Sequence, residues 1–252
     1  MSLKVGKNEV FFILPESRYS VSSRIDAYMD DDFTIALRAK VIKDNLTDKE
    51  AFMFSRNGRH SGISSFKDNL GNTVIVFNYW FESEDGSYKD GLVKQVFYTL
   101  KPNEDNQLNE FIMICDNFGE RKIDCYVNSI LVGSMEFQKN QKLSYKNSFY
   151  WFGCGSMIGP EEHQAIGEFE FDLAFVCAQK LDLDEAIDIV DNYDKLYSID
   201  VFNGMRKLKK EFQKKYNFAF FCDFKHYNRY KVWDLSFSGN YPQFYIEDNI
   251  YF

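Results

Sequence analysis

The stretch from Thr73 to Phe81 reads TVIVFNYWF and decides the fold. It is rich in β-branched and aromatic residues, the composition typical of a β-strand. Successive side chains of a strand point to opposite faces. Alternation therefore predicts two sets, a packed face with Ile75, Phe77, Tyr79 and Phe81 and a partly polar face with Val74, Val76, Asn78 and Trp80.

The same period of two is present in a second stretch, FTIALRAKV from Phe33 to Val41. Its side chains again divide into an apolar set and a polar set, with Phe33, Ile35, Leu37 and Val41 on one face and Thr34, Arg38 and Lys40 on the other. Each strand thus has one face that packs and one that is polar. We expect Arg38, Asn78 and Trp80 to lie together on one polar face.

Further period-two runs continue along the chain, separated by Gly, Asn and Asp clusters and without intervening helices. Together they predict strands at Val10–Leu14, Phe33–Ile42, Ala51–Arg56, Gly62–Lys67, Thr73–Phe81, Leu92–Leu100, Glu110–Asp116, Lys122–Val127, Ile130–Phe137, Ser148–Gly153 and Gly167–Cys177. A spacing of about 10 to 20 residues is typical of antiparallel sandwiches. The predicted fold class is all-β, an antiparallel jelly-roll β-sandwich.

The period changes after Lys180. Asp182 and Glu185 have the capping-box spacing, and apolar residues then recur every three to four positions, which predicts a helix from about Leu183 to Tyr197. A second helix is predicted from near Ser198, with its apolar face formed by Val201, Phe202, Met205, Leu208 and Phe212. The lysines on its other face are typical of a solvated helix surface.

Strand character returns from Phe218 to Phe252. This segment is shorter than the roughly 40 residues that a domain needs to fold without extra staples. We expect it to dock on the sandwich and bury Phe220, Phe224, Trp233 and Phe237. The predicted organisation is a sandwich over residues 1–180, a helical pair over 181–216 and a completing β segment over 217–252, in one compact domain.

Composition restricts the class of partner. Among 252 residues, 30 Lys and Arg face 38 Asp and Glu, a net charge of −8, so a nucleic acid partner is not expected. No apolar run approaches the roughly 20 residues of a membrane helix, so no membrane insertion is expected. An odd number of cysteines among strand-like residues predicts reduced core thiols: Cys115, Cys125, Cys154, Cys177 and Cys222. With no signal-type apolar segment near the first residue, a cytoplasmic protein is expected.

Three segments resemble laminin-G-like and concanavalin A-like jelly rolls. CYVNSILVGSMEF, Cys125 to Phe137, is similar to a hairpin of these families. GEFEFDLAFVCAQKLDLDEA, Gly167 to Ala186, is similar to their penultimate strand and the short helix after it, and FTIALRAKV is similar to an early strand. The sequence departs from the pattern where Ser129 replaces a turn glycine and Glu170 replaces the commoner aspartate. The resemblance covers roughly Val10 to Ala186 and implies the jelly-roll fold.

The tail also resembles this superfamily. FAFFCDFKHYNRYKVWDLSFSGNYPQF, within Phe218 to Phe252, is similar to a segment that opens bacterial members before their first strand. Here it follows the helices instead. Two alternatives remain open: a circularly permuted domain, or the start of a truncated neighbouring repeat.

Glucanases of the same superfamily carry an E-x-D-x-E strand that puts three carboxylates on one face. Glu168, Glu170 and Asp172 have this spacing, but their order is E-x-E-x-D. The surrounding residues match the non-catalytic laminin-G strand better, so we favour a protein without catalysis. A glycoside hydrolase using these three carboxylates is kept as an alternative.

No motif for zinc or a nucleotide is present, and no cofactor is required by the sequence. Calcium is the exception, since sandwich lectins hold it with loop carboxylate and amide oxygens. The candidate ligands, if calcium binds, are Asp30, Asp32, Asp116 and Asn117.

Carbohydrate recognition is the favoured function, because an aromatic face packs on a sugar ring while neighbouring polar side chains bond its hydroxyls. The candidate ligand-binding residues are Arg38, Asn78, Trp80, Trp151 and Glu170. The expected partner is an oligosaccharide or polysaccharide, and analogy suggests an accessory role in bacterial surface-polysaccharide machinery. The alternative is a protein interaction or oligomerisation domain that uses an exposed sheet edge and the helical pair.

Overall fold

The computed structural model describes residues 3–5, 9–13, 32–56, 61–81, 92–139, 141, 143, 150–153, 165, 167–199, 206–224, 242–246 and 249–251. Its strands are β1 (Leu3–Val5), β2 (Glu9–Ile13), β3 (Phe33–Val41), β4 (Ala51–Arg56), β5 (Ser61–Lys67), β6 (Thr73–Phe81), β7 (Leu92–Thr99), β8 (Asn109–Asp116), β9 (Lys122–Val127), β10 (Ile130–Glu136), β11 (Tyr150–Phe152), β12 (Phe169–Cys177), β13 (Tyr197–Ile199), β14 (Arg206–Leu208), β15 (Phe218–Asp223), β16 (Pro242–Ile246) and β17 (Asn249–Tyr251). Two α-helices are described, α1 (Leu183–Asn192) and α2 (Lys210–Lys215), with 3-10 turns at Lys43–Asn45 and Tyr193–Lys195.

The strands form two large antiparallel sheets. Sheet A has the order β1-β12-β3-β8-β9-β10, and β15 also pairs with β12. Sheet B has the order β17-β16-β2-β11-β4-β5-β6-β7. The strands and the antiparallel sandwich predicted from the period of two are therefore confirmed.

The core lies between the two sheets. It takes the predicted apolar faces of β3 and β6, including Phe33, Ile35, Ile75 and Phe77. Aromatic rings meet across it, as where Phe33 stacks on Tyr79 with ring centroids 5.6 Å apart. Alternation in these strands thus identified the side chains that face this core.

A second apolar cluster covers the outer face of sheet A. Ala186, Ile189 and Val190 of α1 pack with residues of sheet A such as Ile112 and Phe175. The other side of α1 is polar, as expected for a surface helix that buries one apolar stripe. Sheet A is therefore covered on both faces at this position.

The predicted second helix from Ser198 is wrong. The chain there forms a small antiparallel sheet in which Tyr197 pairs with Leu208 and Ile199 with Arg206, and only Lys210–Lys215 is helical. Asn203-Gly204 lies between the two paired strands in the sequence, and this dipeptide is typical of hairpin turns. Leu208 is nevertheless buried, as its apolar character predicted.

The terminal segment contributes to both sheets. β15 pairs with Leu173 to Cys177 of β12 in sheet A, and β16 pairs with β2 in sheet B. Phe220 and Phe224 are buried in the sandwich core. Trp233 and Phe237, which were also expected to dock, lie outside the described residues.

None of the cysteines in the described ranges forms a disulfide: Cys115, Cys125, Cys177 and Cys222 are buried. Burial raises the pKa of the Cys115 and Cys125 thiols well above the ordinary value. Cys154 lies outside those ranges. No helix in the described part of the chain is long and apolar enough to span a membrane.

Candidate functional site

The expectation that Arg38, Asn78 and Trp80 share one face is wrong. Arg38 is on β3, in sheet A, and lies beneath α1, whereas Asn78 and Trp80 are on β6, in sheet B. Alternation distinguishes inward from outward residues but does not assign a strand to a sheet. The outward positions of these two strands therefore lie on opposite sides of the sandwich.

A hydrogen-bonded polar network crosses the outer face of sheet B with Asn78 at its centre. The Nδ2 of Asn78 donates to Oε1 of Glu50 and to Oγ of Ser64, both at 2.9 Å. Ser64 Oγ also donates to Glu50 Oε1. From the other side, Nε2 of Gln95 donates to Oδ1 of Asn78 at 2.6 Å. We call these four residues the Asn78 network.

Strand register explains why the network forms. Asn78 is paired with Gly62 of β5 on one side and with Gln95 of β7 on the other. Ser64 is two residues from Gly62 on the same face, and Glu50 immediately precedes β4. Three strands and one loop end thus bring the polar side chains together.

The Asn78 network has a buried base and an accessible rim. Asn78 is 1% exposed and Ser64 is fully buried, so their polar atoms need the partners they have. Gln95 is exposed and Glu50 is half-buried. A ligand at this face therefore meets Gln95 and Glu50 first.

The accessible aromatic beside the network is Phe97, which sequence reasoning missed. Its side chain is 56% exposed, and it lies two residues from Gln95 on the same face of β7. Trp80, the residue predicted to offer an open ring, is only 6% exposed. The prediction of Trp80 as an exposed platform is therefore wrong. Alternation in LVKQVFYT, Leu92–Thr99, already placed Gln95 and Phe97 on one face and could have found this pair.

Gly62 keeps β4 and β5 close beside Asn78. Its φ is +148°, and a Cβ at this position would lie 2.0 Å from the carbonyl oxygen of Phe54. A side chain there would push the two strands apart. The network therefore depends on glycine at this position.

The remaining predicted ligand-binding residues are Trp151 in sheet B and Glu170 in sheet A. Trp151 pairs through its backbone with Ser55 and Phe12 in sheet B, and its side chain is outside the description. Glu170 is half-buried on β12 of sheet A, opposite Lys40. Only Asn78 and Trp80 of the predicted set belong to the described outer face of sheet B.

Charged groups meet on the outer face of sheet A. Arg38 Nε lies 3.8 Å from Asp172 Oδ2, and Arg38 Nη1 lies 3.7 Å from Asp191 Oδ1 at the end of α1. Glu110, opposite Arg38 on β8, lies beside Asp191. Burial, followed by the charge of Asp191, raises the pKa of Glu110, and Arg38 opposes this shift.

Two of the three carboxylates with glucanase-like spacing, Glu168 and Asp172, are engaged by different partners. Asn45 Nδ2 donates to Oε2 of Glu168. Asp172 is 1% exposed and is the extra residue of a bulge, because Phe171 pairs with Ala39 and Leu173 with Arg38. The described structure thus gives no open cleft in which Glu168, Glu170 and Asp172 act together.

The calcium candidates meet in part, at one end of sheet A. The backbone N–H of Asn117 donates to Asp32 Oδ1 at 2.7 Å. Asp116 accepts from the backbone N–H of Gly119 at 2.6 Å and forms an ion pair with Lys180 at 2.7 Å. The hydrogen bond from Lys180 lowers the pKa of Asp116. A lysine ammonium thus stands beside this carboxylate, and Asp30 lies outside the described residues.

Comparison with known proteins gives matches of fold. No protein-family model and no curated protein matches the chain. A Bacteroides ovatus ATCC 8483 protein provisionally assigned to carbohydrate binding is 11% identical with a TM-score of 0.55, covering 99% of this chain and 61% of that one. The receptor binding domain of botulinum neurotoxin D is 10% identical with a TM-score of 0.50, covering 79% of this chain and 45% of that one. A heptameric SAP-like pentraxin from Limulus polyphemus is 14% identical with a TM-score of 0.45, covering 74% of this chain and 80% of that one.

At these identities the likeness establishes the fold alone. The antiparallel β-sandwich predicted from the sequence is the fold that this likeness supports. The chain spans 61% of the Bacteroides protein and less than half of the toxin domain. The function has to be argued from the residues of this chain.

Proposed function

We propose that the protein is a non-catalytic carbohydrate-binding module whose binding site is the exposed part of the outer face of sheet B along β7. The observation that carries the proposal is the Asn78 network beside the exposed ring of Phe97. It joins the two elements that a sugar needs, polar groups held in fixed orientation and an accessible aromatic face. The matched protein with a provisional assignment to carbohydrate binding supports the same class of function.

The chemistry of the rim suits hydroxyl groups. A carboxylate accepts hydrogen bonds and an amide both donates and accepts, so Glu50 and Gln95 can bond sugar hydroxyls in either sense. Phe97 offers an apolar surface to the C–H face of the ring. Because Asn78 and Ser64 already hold Glu50 in place, little side-chain entropy is lost on binding.

Binding is tested by a glycan array followed by titration calorimetry of the positive glycans. Phe97→Ala should reduce affinity by about tenfold or more, as expected for loss of an aromatic contact. Phe118→Ala is the matched control, since Phe118 is 73% exposed in the turn between β8 and β9. Repeating the array with calcium and with a chelator tests the calcium prediction. An array without positive glycans in both conditions, or equal effects of the two variants, contradicts the proposal.

A second candidate function, association with another copy of this chain, is favoured by exposed apolar residues on two neighbouring strands: Leu92, Val93 and Phe97 of β7, and Ile130 and Leu131 of β10. These strands end sheet B and sheet A in the described topology. Exposed edges of this kind pair with other chains, and a two-fold axis brings the same edge from a second copy. Sedimentation of the wild type and of Leu131→Lys tests this association. The wild type should sediment as a dimer, and the variant should dimerise more weakly.

The role in bacterial surface-polysaccharide machinery and the cytoplasmic location stay predictions.

A further inference from the structure

The direction of the hydrogen bonds in the Asn78 network is set by Glu50. A carboxylate can only accept, so the amide of Asn78 turns its Nδ2 toward Glu50. Its Oδ1 then faces Gln95 and accepts from Nε2. The amide of Gln95 is thereby oriented with Oε1 away from Asn78. Glu50 Oε1 is used by Asn78 and Ser64, so the acceptors left to the two rim residues are Glu50 Oε2 and Gln95 Oε1.

The charges on this face have one sign. Glu50 contributes a carboxylate at the rim. The outward positions of β4 to β7 that the structure describes hold no lysine or arginine: Phe52, Ser55, Gly62, Ser64, Phe66, Val74, Val76, Asn78, Trp80, Val93, Gln95, Phe97 and Thr99. A ligand bearing an anion therefore meets a negative group with no cation among these positions to offset it.

We infer that this site selects neutral glycans over glycans that carry carboxylate, sulfate or phosphate, and that Glu50 is the specificity-determining residue. The inference rests on the proposed function and concerns the same site. A sugar hydroxyl donates to the Glu50 carboxylate and to Gln95 Oε1. An ionised substituent has no proton to donate and is repelled by Glu50.

The test compares matched neutral and acidic ligands by titration calorimetry: lactose with 3′-sialyllactose, and dextran with dextran sulfate. The wild type should prefer the neutral member by about tenfold, and Glu50→Gln should reduce the preference to about threefold or less. Glu211→Gln removes an exposed carboxylate on α2 and should leave the preference unchanged. Higher salt should reduce the preference of the wild type but not its binding of the neutral member.

A second variant keeps the test independent of the folding of Glu50→Gln. Gln95 is exposed on the rim, so Gln95→Lys should fold and shift the preference toward the acidic member. Equal or tighter binding of acidic ligands by the wild type, with Phe97→Ala still reducing affinity by about tenfold or more, overturns the selectivity and leaves the proposed function intact. Binding of neither member, together with an array empty of positive glycans, overturns the proposed function and the selectivity with it.

Discussion

Arg38 Nε lies 3.8 Å from Asp172 Oδ2, and the bulge of β12 places this carboxylate, 1% exposed, beneath α1. Removing the guanidinium takes an ionic partner away from a buried carboxylate. We expect Arg38→Met to lower the free energy of unfolding by about 2 to 4 kcal/mol, less than for a fully buried pair because Arg38 is partly exposed. Urea unfolding measures this. Combining it with Asp172→Asn should recover part of the loss, and additive losses would show that the two residues are not coupled.

Glu110 predicts how stability depends on pH. Burial and Asp191 raise its pKa above the ordinary value of 4.5 in the folded protein. The folded state therefore binds the proton of Glu110 more tightly than the unfolded state. The resulting contribution to the free energy of unfolding is fully present below pH 4.5 and is lost as the pH rises through the raised pKa. As the pH rises from 4.5 to neutrality, the melting temperature of the wild type should fall relative to that of Glu110→Gln.

The groups facing Glu110 are Arg38 on β3 and Asp191 at the end of α1. The control for the pH profile is Glu211→Gln, which removes an exposed carboxylate on α2. Parallel melting profiles for wild type and Glu110→Gln across this range would show that Glu110 titrates alike in the folded and unfolded chains.

Two glycines distinguish close packing from backbone strain. Gly62→Ala meets the Phe54 carbonyl oxygen at 2.0 Å, whereas Gly71→Ala, at a φ of +79°, meets nothing within 4 Å. Gly62→Ala should lower the free energy of unfolding by about 2 to 4 kcal/mol and weaken glycan binding. Gly71→Ala should lower it by about 1 kcal/mol without affecting binding. Denaturant unfolding and calorimetry check both. Equal costs would mean that the approach of β4 to β5 is not what requires glycine.

Catalysis is not expected. Asp172 is buried beside Arg38 and Glu168 is bonded by Asn45, so neither is placed beside a glycosidic bond. The purified protein should release no reducing ends from β-glucans. Release that disappears in Glu168→Gln or in Asp172→Asn would restore the hydrolase alternative.

The sequence was a good guide to which side chains face the core and a poor guide to which strands are neighbours. The pattern of Thr73 to Phe81 gives both faces of β6 because alternation is local. The pairing of Asn78 with Gln95, and the assignment of Arg38 to the other sheet, depend on chain connections that no local period contains. The alternation of apolar and polar residues also does not predict the bulge at Asp172.

The terminal segment provides the last prediction. β15 forms an antiparallel pair with Leu173 to Cys177, while Phe220 and Phe224 are buried in the core and Phe221 packs on Phe175 at 6.0 Å. Burying three phenylalanines stabilises the fold by about 1.5 to 3 kcal/mol each before entropy, comparable with the stability of a whole domain. A chain ending at Tyr216 should therefore be insoluble or molten. A chain ending at Ile246, which loses only β17, is the control and should stay folded. Gel filtration, dye binding and thermal unfolding compare the two. A soluble, monomeric, cooperatively melting chain ending at Tyr216 would show that the segment is not part of the sandwich and would favour a truncated neighbouring repeat.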